Sequence, residues 1–167
     1  MIFAANDDAP RKALPMLDHT LLWTMQSWVV SHRRAGHVAG RIAEVFGELG
    51  APEAAGYLDG FMWVLSQGAT RLLDVNCVCC DTVSADERLL LDVFSLVQER
   101  QDEEALALLG GLVTPGAALA ARSSAIRLMA ALREAGHALP ESGAALRRHL
   151  MLPPPGRLVM PAPNWLH

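Results

Sequence analysis

Apolar residues recur along this chain at steps of three and four, and no stretch alternates long enough to read as a strand, so the pattern predicts helices throughout. The first helix is expected to be capped by Asp18 and to carry Leu21, Leu22, Met25, Trp28 and Val29 on one stripe. Trp23 and Val30 fall off that stripe, so this helix should be covered on more than one face. It ends in a basic tip, His32-Arg33-Arg34, ahead of Gly36, as the negative end of a helix dipole favours. A second helix carries Val38, Ile42, Val45, Phe46 and Leu49 and stops at Gly50. Pro52 suits the first turn of a third, whose inner stripe is expected to be Leu58, Phe61, Met62, Leu65, Ala69 and Leu72. Gly56 and Gly60 share a face of it and would let another helix approach closely.

Ser84-Ala85-Asp86-Glu87 reads as a capping box, with the serine accepting from a free amide and the glutamate reaching back. The helix behind it, with Leu89, Leu90, Leu91, Val93, Phe94, Leu96 and Val97, is apolar nearly all round and should be the central buried one. A short helix follows from Asp102 to Leu109, stopped by Gly110-Gly111. Thr114 and Pro115 start another, with Ala118, Leu119, Ala125, Ile126, Met129 and Leu132 expected inside, and Gly136 ends it in the left-handed conformation. A last helix is expected between Pro140 and Pro153. The expectation is an all-α fold: one bundle-like domain of about six or seven helices with an extended Pro-rich C-terminal tail. Its parts are an N-terminal arm over 1–16, a helical domain over 17–152, and a tail over 153–167. Leu158, Val159, Met160, Trp165 and Leu166 make that tail too apolar for a solvated linker, so it should pack on the body or on a neighbouring chain.

Composition sharpens this picture in two ways. Hydrophobic residues make up 51% of the chain and charged ones 19%, which points to apolar surface shared with a partner. A net charge of -4 argues against a general nucleic-acid binder, which would carry a basic footprint. The charge is nonetheless uneven: acids dominate from Asp86 to Glu104 and arginines from Arg122 onward, and the two could pair within a chain or between copies. No secretory leader is evident at the N-terminus, and the uncharged run from Ala105 to Ala121 is broken by Gly110-Gly111 and Thr114-Pro115-Gly116. A cytoplasmic protein without membrane association is therefore expected. Three cysteines, an odd number, suit a reducing compartment.

All three stand within four positions, Cys77-Val78-Cys79-Cys80, on a loop that feeds the capped helix. Metal binding needs several lone pairs converging on one point, and closely spaced thiolates can supply two or three. His19, His32, His37 and Asp81 are candidates for a further ligand, His19 foremost. Zinc or iron are the ions such a set would take; no other cofactor is expected. No second C-x-x-C is present to complete a zinc module, and the strand context of a thioredoxin-like motif is missing. The plainer alternative is that these thiols are small hydrophobes in a helix connection. His32, Arg33, Arg34 and His37 form a basic knot that could accept a phosphate or carboxylate, although helix capping accounts for the same residues. Trp23, Trp28, Trp63 and Trp165 are large enough to anchor an interface. No nucleophile elbow, P-loop or nucleotide fingerprint occurs. The expected function is thus non-enzymatic, a helical homodimer that works by self-association and by binding another protein, with metal binding or redox sensing at the cysteine loop as the alternative.

Overall fold

The computed structural model describes residues 10–34 and 38–140. They form an all-α domain of six helices preceded by a single 3-10 turn over Arg11–Ala13. The helices are α1 (Met16–Arg34), α2 (Val38–Glu48), α3 (Ala54–Gly68), α4 (Ala85–Gln98), α5 (Asp102–Gly110) and α6 (Pro115–Glu134). The expected last helix and the tail lie outside the described residues.

Chain punctuation explains most of the boundaries. Ser84 and Glu87 form the full reciprocal capping box at the start of α4. Thr114 stands at the N-cap of α6 with Pro115 in its first turn. Asp18, expected as the cap of α1, lies instead within its first turn, because the helix begins two residues earlier at Met16. Three helices end on a left-handed residue with the same pair of closing bonds. After α2, Ala51 N–H donates to Phe46 O across Gly50; after α6, His137 N–H donates to Leu132 O across Gly136. After α4 the same turn closes from Gln101 N–H to Leu96 O, but its left-handed residue is Arg100, at a φ of 62°.

The core spreads over all six helices. α3 and α6 make the most extensive pairing, and α4 packs against α1, α5 and α6. On α4, residues from Leu90 to Val97 are buried at every position but one, as its all-round apolar sequence predicts. Phe61 of α3 meets Phe94 of α4 with ring centroids 4.9 Å apart and tilted. α3 and α6 run antiparallel: a Cβ on Gly68 would fall 2.2 Å from Ala117 Cβ, one on Gly60 would fall 3.6 Å from Ser124 Oγ, and His137 Nε2 meets Leu49 O at 2.9 Å. Close approach therefore centres on Gly68 and Gly60, while Gly56 has nothing within 4 Å. α3 stops at Gly68, so Leu72 leaves the helical stripe on which it was expected and stands 90% exposed. α6 is turned slightly from expectation: Ala121, Leu128 and Ala131 go inside, and Leu119 and Ile126 face outward. Alanine-rich contact with α3 draws the small side chains inward and rotates the larger ones away.

No described helix is long and apolar enough to cross a membrane.

Candidate metal centre

The segment between α3 and α4 carries the cysteines and is fastened at several points. It departs from α3 through a short pairing with the start of α6, where Thr70 N–H donates to Leu112 O and Thr114 N–H donates to Gly68 O. Arg71 then forms a two-pronged ion pair with Asp86 of α4, at 2.8 and 2.6 Å. Asp74 N–H donates to the same carboxylate at 2.7 Å, and Ser84 Oγ donates to Asp74 O. The guanidinium hydrogen bonds hold the Asp86 carboxyl below its ordinary range, against the opposing effect of burial.

Glu87 is the second fastening and the deepest. It is fully buried, and its Oε1 accepts from Gln26 Nε2 of α1 at 2.8 Å and from Asn76 N–H at 2.9 Å. Its Oε2 accepts from Ser84 N–H at 2.8 Å. One carboxylate thus joins α1, the cysteine segment and the start of α4. Asn76 also donates through its side chain to Thr82 O at 3.0 Å, which closes the segment across the cysteines.

The third fastening comes from the N-terminal side. Arg11 N–H donates to Asp81 O at 2.8 Å, Pro10 bridges Thr82, and the Arg11 guanidinium donates to Val78 O and to His19 Nε2 at 3.2 Å. Arg11 was not singled out from the sequence. It lies 67 residues from Val78, and no local pattern connects the two.

Within this frame Cys77–Cys80 is a tight turn closed by Cys80 N–H donating to Cys77 O at 3.0 Å. The turn folds the three thiols together, and their sulfurs all lie within 4.8 Å of one another. Cys77 and Cys79 are exposed, Cys80 half-buried, and Cys77 Sγ contacts Cys80 Sγ at 2.6 Å. The thiols are not equivalent. Cys77 is pushed below the ordinary thiol range, chiefly by hydrogen bonds from the Cys79 and Cys80 thiols, with help from the backbone amides of the same two residues. Cys79 and Cys80 are pushed up, because each donates its proton to Cys77. Amides that converge on the first sulfur of a turn favour the thiolate form a metal requires.

His19 does not join the thiol group, nor does Asp81. His19 Nε2 faces Arg11 instead, so the expected fourth ligand serves the frame of the loop.

The other expected residues are distributed as follows. His32 and Arg33 stand at the end of α1, and His32 stacks on Trp28 with ring centroids 3.6 Å apart. The Arg34 side chain, His37 and Trp165 lie outside the described residues. Trp28 is buried in its own chain, with its indole N–H donating to Asp59 Oδ1 at 2.8 Å, and so belongs to the core rather than to an exposed surface. Trp23 is half-buried against that core, and Trp63 on α3 is 52% exposed.

No family model matches this chain, and neither a curated protein nor a solved structure matches it.

Proposed function

We propose that this protein binds one thiophilic metal ion through the Cys77–Cys80 turn. The observation that carries the reading is the convergence of three sulfurs within 4.8 Å on an accessible turn fastened to the core. Thiolates are soft donors and favour zinc and copper(I). Zinc would take three thiolates and leave its fourth position to a water or an incoming ligand, whereas copper(I) is content with three. Iron is less well served, since its all-sulfur sites draw on four thiolates. Cys77, whose thiol is held below the ordinary range by its neighbours' hydrogen bonds, would give its proton up most readily to such an ion, and Cys79 and Cys80 would complete the set on losing theirs.

The test is a titration of the reduced full chain, with cobalt(II) as the spectroscopic probe for the zinc case and copper(I) against a chromophoric competitor for the other. The expected result is one ion per chain, with sulfur-to-cobalt charge-transfer absorption or competitor bleaching that disappears in the variant with all three cysteines changed to serine. Substoichiometric uptake, or equal uptake by the triple variant, overturns the reading. Which ion binds more tightly decides between zinc and copper.

Self-association is a second reading, supported by Trp63, a large aromatic left half in solvent on α3. Sedimentation of the full chain tests it. A dimer that Trp63→Asp converts to monomer supports it, and a monomer at micromolar concentration removes it.

A further inference from the structure

Beside the thiol segment, α1, α3 and the stretch 69–75 enclose an open cleft of about 310 Å³. Its walls are apolar, formed by Trp28, Val29, Met62, Leu65, Leu73 and Leu90. Two arginines, Arg33 of α1 and Arg71 of the 69–75 stretch, also line it, with His32 beside Arg33 in the sequence. We propose that this cleft binds a small amphiphilic anion, a medium-chain carboxylate, with its chain against the apolar walls and its head group at Arg33.

Three features favour that occupant. The volume sits at the lower end of the range for small-molecule sites, about 300–1,000 Å³, and suits a short flexible chain better than a folded partner. The rim then sets the sign of the head group. Arg71 is already committed to Asp86 and to Leu72 O. Arg33 is exposed and enters no ion pair among the described residues, so its charge is available to a carboxylate. No carboxylate lines the cleft; the acids near it are Asp86, paired with Arg71, Asp59, which accepts from the Trp28 indole, and Asp74, exposed on the 69–75 stretch. Finally, Leu72 lines the cleft while standing 90% exposed. A leucine held in solvent at the mouth of an apolar cleft gains a partner when an alkyl chain enters. His32 and Arg33, part of the basic tip that the sequence offered as an anion site, therefore lie at an apolar recess that no single-helix pattern reveals.

The experiment is a titration of the full chain with octanoate, octanol and octylamine, read by tryptophan fluorescence, since Trp28 lines the cleft, and by saturation-transfer NMR. Octanoate is expected to bind saturably and octylamine not at all. Octanol should bind about tenfold more weakly, the loss of one charge-assisted hydrogen bond. Arg33→Gln should bring octanoate down to the level of octanol without affecting octanol itself. Leu73→Ala tests the wall independently and should weaken octanoate and octanol alike. No saturable binding, equal binding of octanoate and octanol, or an Arg33→Gln variant that binds octanoate as the parent does would each overturn the proposal. Uptake of metal at the thiols does not enter these outcomes, so the two sites stand or fall separately.

Discussion

Replacing Glu87 by alanine is the most informative single perturbation of this protein. The carboxylate is fully buried and accepts three hydrogen bonds, from Gln26 Nε2, Asn76 N–H and Ser84 N–H. Its loss orphans three donors, those of Gln26 and Ser84 buried and that of Asn76 partly so. Each buried donor left without a partner costs roughly 1–3 kcal/mol, and removing the glutamate half of the capping box adds to that. Water entering the vacated space recovers part of the loss, so we expect a net destabilisation of about 3–5 kcal/mol. A domain of this kind is stable by roughly 5–15 kcal/mol, so the variant should fold but with little margin. Urea denaturation followed by circular dichroism measures the effect, and the melting temperature should fall by on the order of ten degrees. Glu87→Gln keeps the shape and one acceptor but sets an amide N–H₂ against a donor, and should lose roughly 1–3 kcal/mol. A Glu87→Ala variant within about 1 kcal/mol of the parent would refute the reasoning, since it would mean that the three donors find equivalent partners without the carboxylate.

Other outcomes follow from particular contacts. Gly68→Ala would place a Cβ 2.2 Å from Ala117 Cβ; we expect a loss of about 1–3 kcal/mol, partly restored by adding Ala117→Gly, as a double-mutant cycle in urea would show. Gly56→Ala, where nothing lies within 4 Å, should instead gain up to about 1 kcal/mol from helix propensity. Arg100→Gly removes a side chain from a left-handed position and should stabilise the end of α4 by roughly 1 kcal/mol, measurable as a higher urea midpoint. Asp86 has its folded pKa below the unfolded value of about 3.9, so its pairing contributes stability above that pH and loses it progressively as acid protonates the carboxylate. Asp86→Asn should therefore flatten the acid limb of a plot of melting temperature against pH, and an unchanged slope would count against the ion pair.

Much of the fold was legible because helix punctuation is local. The Ser84–Glu87 box, the Thr114-Pro115 start, the Gly110-Gly111 stop and the left-handed Gly136 depend on residues a few positions apart, and each is found where the sequence put it. The errors arose where tertiary packing chooses among faces. Leu119 and Ile126 were placed inside α6, but the alanine face is the one that fits against α3. Gly56 and Gly60 looked equivalent by spacing, yet only Gly60 meets α6, and the tightest approach is at Gly68. The thiol cluster was visible as a composition anomaly. What fastens it was not, because Arg11, Gln26 and Glu87 come to it from three separate elements.

The placement of all three sulfurs within one four-residue turn has a thermodynamic consequence. In a site whose ligands come from distant elements, the unfolded chain binds metal poorly, and nearly all of the binding free energy appears as folding stability. Here the ligands stay neighbours when the chain unfolds, and closing so short a loop costs little. For the proposed ion both states would compete, and the cation would raise the melting temperature only by the ratio of the two affinities. That ratio would measure what Arg11, Asn76 and Glu87 do in holding the turn in shape. If the proposed metal binds, a peptide spanning the turn would retain most of the affinity, and the stability of the globular body would be nearly independent of metal supply.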